Sequence, residues 1–275
     1  MGPLTIAAVQ ATYVLMDRDA TLDRVEQLTA EAAQQGAQLV VFPEAFVPGT
    51  PIWIDTRPIW DGDAEWFAML VQNAVVVPGP AVDRLATTAE RHGVWLVVGV
   101  QEREPTGSTI YNTLLYFSPD GRLVDRHRKL VPTGSERTVW GMGDGWIATM
   151  QHLARENRMY VVGVNPVLHV DDIPADFPDR ERLVPASFTD EHGPWIEAGN
   201  TVVVGPDGVL RAGPVREAER VLVVELDLAE VAAARRFMDP TGHYNRPDVF
   251  QLLVDTTSRH ATTTGSDGGS DQRRP

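Results

Sequence analysis

Short unbroken apolar runs along this chain alternate with segments whose apolar residues recur three and four positions apart. That pattern predicts buried strands interleaved with amphipathic helices. Leu4 to Gln10 is the first strand. Asp19 or Thr21 can cap the following helix, whose stripe is Leu22, Val25, Leu28 and Ala32 and which ends near Gly36. Leu39 to Phe42 is a second strand. Two helices follow: Asp63 to Ala74, with Trp66, Phe67, Leu70 and Val71 as its apolar members, and Ala81 to His92, with Val82, Leu85, Ala86 and Ala89 on one face and Gly93 as its stop.

Val94 to Val100 predicts another strand, and Ile110 to Phe117 with Arg122 to His127 a hairpin across Pro119-Asp120-Gly121. Further on, Ile147, Met150 and Leu153 give Trp146 to Asn157 helical spacing, and Met159 to Val164 reads as a buried strand. Asp171 to Asp190 is polar and bears prolines, so it reads as a long loop. Thr201 to Val204 and Val209 to Ala212 flank a Gly205-Pro206-Asp207-Gly208 turn, Arg220 to Asp227 is a strand and Ala229 to Phe237 a short helix. Two helices preceding paired strands suggest an α/β sandwich in αββα layers. From Thr256 on there is no periodicity and almost no apolar content, so residues 256–275 read as a disordered tail behind one domain over residues 1–255. No repeat of solenoid period is present.

Composition narrows the function classes. With 275 residues, 43% of them hydrophobic, the chain can bury a large core. A formal net charge of −14 argues against nucleic acid or an anionic membrane as partner. No run approaches about eighteen apolar residues, and MGPLTIAAVQ enters a strand pattern at once, so neither a membrane span nor a signal peptide is expected and the cytoplasm is the default location. The chain has no cysteine, which excludes a disulfide framework.

Two segments carry candidate chemistry. In QLVVFPEAFVPGTPIW, a strand-length run ends at Pro43, and the next residue is Glu44, in a loop of Pro and Gly. Ligand crevices of open α/β sheets lie beyond the carboxyl ends of strands, so a carboxylate one step past such an end is placed for acid-base work. In DRHRKLVPTGSERTVWGMGDG, a strand runs into a cationic cluster, with Lys129 at its exit and Glu136 seven residues on. Other chemistries lack their patterns: the seven histidines show no metal-ligand spacing, no Gly-x-Ser-x-Gly elbow occurs, and the glycines at 134, 141, 143 and 145 precede no Gly-Lys-Ser or Gly-Lys-Thr. His169, beside Asp171 and Asp172, reads as a loop residue, while Phe46, Trp53, Trp60 and Trp140 could line an apolar pocket or belong to the core.

Taken together, the FPE and HRKL segments resemble the nitrilase branch of the carbon-nitrogen hydrolase superfamily, as do Trp140 to Gly145 (WGMGDG), Val164 to Val170 (VNPVLHV) and Gly242 to Phe250 (GHYNRPDVF). The resemblance runs from about Leu4 to about Val254 and implies an αββα sandwich. It makes Glu44 the general base, Lys129 the stabiliser of the tetrahedral intermediate and Glu136 the residue that positions the lysine. It implies a small-molecule nitrile or amide as substrate, no metal or organic cofactor, and homo-oligomers. The family nucleophile, however, is a cysteine on a strand-to-helix turn downstream of the lysine, and WGMGDG here runs directly into what resembles the next helix. Between those points the family has a strand, the nucleophile turn, a helix and a strand, on the order of forty to fifty residues at common element lengths. The chain therefore reads as a nitrilase-type sandwich made incomplete by loss of that block at 145/146. Gly141 to Trp146 reaches only about 18 Å when extended, so local distortion is expected there, and the removed helix contributes to subunit pairing in the family. Ser135 and Thr149 are substitute nucleophiles by residue type only. Three readings stay open: an inactive family member, a non-catalytic subunit that pairs with and regulates an intact homologue, and an artefact of gene prediction or splicing. Thr50 stands where the family often has an aromatic residue before the loop proline.

Overall fold

A computed structural model describes residues 2–54, 63–129, 144–185, 188–243 and 245–253. Strands β1 (Leu4–Gln10), β2 (Leu39–Val41), β3 (Val75–Val76), β4 (Trp95–Arg103), β5 (Ile110–Phe117), β6 (Leu123–Arg128) and β11 (Arg220–Leu226) form one sheet, in the order β11-β1-β2-β4-β5-β6 with β3 beside β4. β1, β2 and β4 run parallel; β11 pairs antiparallel with β1, β5 with β4, and β6 with β5. The second sheet has the order β10-β9-β7, from Leu210–Arg216, Trp195–Val204 and Val161–Gly163, with β8 (Val167–His169) also on β9.

Period-two alternation divides each sheet between two cores. On β1, Ala7 and Val9 join Leu22 and Val25 of α1 (Arg18–Gln34) and Leu85 of α3 (Pro80–His92) in the largest cluster, which also takes Trp66 and Leu70 of α2 (Ala64–Asn73). Ile6 and Ala8, on the opposite face, meet Val203 of β9 between the sheets. Val202 and Val204, alternate to Val203, pack against Met150 and Ala154 of α4 (Asp144–Asn157). The layers are therefore helix, sheet, sheet, helix, as the sequence pattern suggested.

Gln10 follows Ile6 and Ala8 on the inner face and joins the sheets through its fully buried amide. Its Oε1 accepts from Thr201 N–H at 3.0 Å and its Nε2 donates to the Ala218 carbonyl at 2.8 Å. Gly199 lies beside it at φ 83°, in the left-handed region that favours glycine, and a Cβ there would lie 2.3 Å from Nε2.

Most expected elements are present, with instructive differences. The cap of α1 is Asp17, whose carboxylate accepts from Ala20 N–H at 2.9 Å. Asp19 instead pairs with Arg18, and Thr21 turns its hydroxyl back onto the Asp17 carbonyl at 2.7 Å. The stretch read as a loop from Asp171 to Asp190 holds a 3-10 turn (Val170–Asp172), α5 (Arg180–Leu183) and α6 (Phe188–His192), and it lends Ile173, Phe177 and Val184 to the main core. These helices are too short to show a periodic stripe. His169 ends β8 and caps the 3-10 turn, its Nδ1 accepting from Asp171 N–H at 3.2 Å. The described residues end with α7 (Ala229–Phe237) and the stretch to 253; the predicted tail lies outside the described residues.

Candidate active site

The FPE loop leaves the first sheet and returns to it within six residues. Phe42 N–H donates to the Val97 carbonyl at 2.8 Å, Val47 N–H to the Gly99 carbonyl at 3.1 Å, and Gln101 N–H to the Val47 carbonyl at 2.8 Å. Between these anchors the chain arches over β4, and Ala45 turns it in the left-handed region at φ 53°, a conformation that costs an ordinary residue about 1 to 2 kcal/mol. The arch rests on Gly99: a Cβ at that position would lie 2.2 Å from the Pro43 carbonyl oxygen and 2.7 Å from Glu44 Cα. Glu44 is thereby held on the inner face of the sheet, with its side chain 54% exposed.

Lys129 reaches the same place by alternation. β5 and β6 pair Thr113 with Arg128 and Leu115 with Arg126, positions whose side chains face the helix layer, so the residues between and after them face inward. Lys129 follows Arg128, its N–H donates to the Asn112 carbonyl at 2.8 Å, and its Nζ lies 2.9 Å from Glu44 Oε1. The Asn112 amide also donates to Glu44 Oε1. One carboxylate oxygen thus collects a cation and an amide. Lysine and asparagine orient the carboxylate through its Oε1.

A buried carboxylate behind the sheet fixes the cationic segment. Glu102, 1% exposed, receives Arg126 Nη1 at 2.9 Å, Arg128 Nη2 at 2.7 Å and the Thr113 hydroxyl at 2.9 Å. The Arg128 guanidinium also lies 3.8 Å from the centre of the Tyr111 ring. Burial alone would push the Glu102 carboxyl up, but the hydrogen bonds from Arg128 and Thr113 and the charges of both arginines outweigh it and hold it below the ordinary glutamate range. With Arg128 locked on one face, its neighbour Lys129 must emerge on the other.

Of the three predicted site residues, Glu44 and Lys129 are brought into contact, and Glu136 lies outside the described residues. Phe46 and Trp53 belong to the main core; Trp60 and Trp140 lie outside the described residues. Thr149 sits on α4 with its hydroxyl donated to the Gly145 carbonyl at 2.9 Å, and Ser135 is outside the described residues. Asn112 and Glu102 were not singled out from the sequence. Their signal was a polar residue at an inward position of an otherwise apolar strand, and a carboxylate closing the run WLVVGVQE. Among the described residues, no group of three His, Cys, Asp or Glu could hold a metal ion, and no helix is long and apolar enough to cross a membrane.

The sequence pattern of the carbon-nitrogen hydrolases matches in two pieces, residues 5–151 and 145–236. A bifunctional nitrilase/nitrile hydratase of Nicotiana tabacum is 36% identical over 304 residues, taking in 90% of this chain and 84% of its own. An aliphatic nitrilase of Sinorhizobium fredii is 35% identical over 318 residues, with 96% of this chain and 99% of its own covered. Both alignments run over more residues than the 275 this chain has. Among solved structures, a CN-hydrolase superfamily protein of Xanthomonas campestris superimposes with a TM-score of 0.62 at 19% identity, over 93% of this chain and 100% of its own. A branch 10 member of the nitrilase superfamily from Saccharomyces cerevisiae gives 0.60 at 19% identity, over 89% and 97%. Two sheets back to back, a glutamate set against a lysine at their strand ends, and relatives above 30% identity along almost the whole length place this cysteine-free chain in the nitrilase branch of the carbon-nitrogen hydrolase family.

Proposed function

We propose that this chain carries the base and the lysine of nitrile hydrolysis but, lacking the sulfur, does not itself turn nitriles over. The observation that carries the reading is the Glu44–Lys129 contact at 2.9 Å in a sequence without cysteine. In a cysteine-bearing relative the glutamate would take the thiol proton and the thiolate would add to the nitrile carbon, with that proton passing to the nitrogen to give a thioimidate. Addition of water and loss of ammonia would leave a thioester, and a second water would release the carboxylic acid and restore the thiol. Lys129, held by Glu136 in this reading, would stabilise the charge that develops on the substrate at each addition. None of these steps starts without a nucleophile, and a neutral hydroxyl such as that of Thr149 is a weak substitute.

A missing internal block is the simplest account of the absent cysteine. The two family matches overlap at residues 145–151, and the alignments exceed the chain in length, which supports a block lost at 145/146. We place the protein in the cytoplasm as a one-domain chain over residues 1–255, with its acidity favouring solubility over anionic surfaces.

The test is ammonia release from a panel of aliphatic and aromatic nitriles by protein of verified mass. No release, together with one cooperative thermal transition, is expected. Release that disappears in Glu44→Gln would overturn the assignment of inactivity.

A further inference from the structure

Among the described residues, the inner face of the first sheet is covered only in part. Register pairs Leu39 with Trp95, Val41 with Val97, Val97 with Tyr116 and Gly99 with Leu114. Leu39 packs with Tyr160, Val162 and Val164 against the core between the sheets. Its lateral neighbour Trp95 is 46% exposed, and Val41, Val97, Leu114 and Tyr116 are half-buried and belong to none of the three buried clusters. On the opposite face of the same strands, Leu96, Val98, Leu115 and Phe117 are 0% exposed.

Among the described residues, the second sheet stops above this boundary. β10 lies against β11 and β9 against β1, so β7, next in order, stands over β2, and one more strand would lie over β4 and β5. β7 pairs with β9 on one side and, among the described residues, with no strand on the other. An open strand edge beside an apolar face accepts an added strand through main-chain hydrogen bonds, with alternate side chains supplying specificity. The occupant follows from the comparisons. The two family matches meet at residues 145–151, the start of α4, which leads directly into β7, and the relatives carry more residues than this chain.

We infer that the slot between the β7 edge and the Trp95–Val97–Leu114–Tyr116 strip binds, from another chain, the strand-bearing segment that nitrilase relatives carry at this point. The inference rests on the reading of a lost block given above. Leu114 lies two residues from Asn112 on the same face, so a docked segment would run beside Glu44 and Lys129.

The probe is a synthetic peptide of the stretch of the Sinorhizobium fredii nitrilase left without a counterpart in this chain, titrated into the full chain while tryptophan emission and the unfolding midpoint are followed. Saturable binding with a blue shift is expected as Trp95 is covered. Leu114→Lys should weaken it at least tenfold, Val209→Lys on the remote turn should leave it unchanged, and a scrambled peptide should not bind. No saturable binding to a cooperatively unfolding chain overturns the proposal. So does a homodimer that Leu114→Lys dissociates, because the occupant would then be a second copy. The same segment inserted between Gly145 and Trp146 separates this from the functional reading. Ammonia release by the insertion variant, without peptide binding by the original chain, sinks only the docking site; no release by the insertion variant sinks the reading of a lost block.

Discussion

Glu44 and Glu102 are both paired with cations, yet their burial gives them opposite roles. Glu44 and Lys129 are 54% and 29% exposed at the side chain, and an ion pair so open to water contributes at most about 1 kcal/mol. Glu44→Gln and Lys129→Met should therefore shift the urea unfolding free energy by less than about 1 kcal/mol; a larger loss would make the pair structural. Glu102 is the structural carboxylate. Its removal leaves Arg126 and Arg128 without their acceptor. Because those side chains are 38% and 29% exposed, screening reduces the cost of a broken buried pair to about 2 kcal/mol for Glu102→Ala. The folded carboxyl titrates below its unfolded value of 4.5, so its contribution is complete above that pH and is lost as the pH falls through the lowered folded value. Glu102→Gln should flatten the acid limb of a stability-against-pH curve, and an unchanged limb would contradict the assignment.

At the scale of elements, the site depends on how a loop and two sheets approach one another. The FPE arch lies on Gly99, and the atoms a Cβ would strike are backbone, which cannot swing aside as a side chain end would. Gly99→Ala should cost about 1 to 3 kcal/mol and push Glu44 away from Lys129; thermal unfolding and a crystal structure of the variant would show both effects. The sheets are joined by hydrophobic contact and by the Gln10 amide. Gln10→Ala would strand the Thr201 N–H in a buried place, at about 1 to 3 kcal/mol, whereas Ala218 is exposed and its carbonyl can turn to water. Hydrogen exchange at Thr201 N–H should rise accordingly, and if it stays protected the amide is not the bridge between the sheets.

For the molecule as a whole, the two sheets differ in extent: among the described residues the first has seven strands and the second four. The helix side of the first sheet is closed, whereas among the described residues its inner side is closed only as far as Leu39. An insertion variant with a relative's segment between Gly145 and Trp146 should therefore gain stability as well as chemistry. Covering a large apolar side chain yields about 1.5 to 3 kcal/mol, so the unfolding midpoint in urea should rise together with ammonia release. A midpoint that falls would mean that the strip is not where the segment packs.

The sequence by itself determined what is local or repeats at short range. The bounds of β1, β5 and α7 follow from unbroken or helically spaced apolar runs, and Gly93 ends α3 in the left-handed region, as a glycine there should. Resemblance in FPE and HRKL singled out Glu44 and Lys129 before any geometry was known. Tertiary structure decided what depends on distance in space. Asn112 is 68 residues from Glu44 and Glu102 is 26 from Arg128, separations at which only sheet register brings side chains together. Ile173 and Phe177 sit in a polar stretch without periodicity, so only packing against the main cluster reveals them as core. The cap of α1, expected at Asp19 or Thr21, is Asp17, because all three side chains can accept from a helix N-terminus and only backbone geometry chooses between them. The open face beside β7 belongs to no residue at all. It arises because, among the described residues, the second sheet does not extend over β4 and β5.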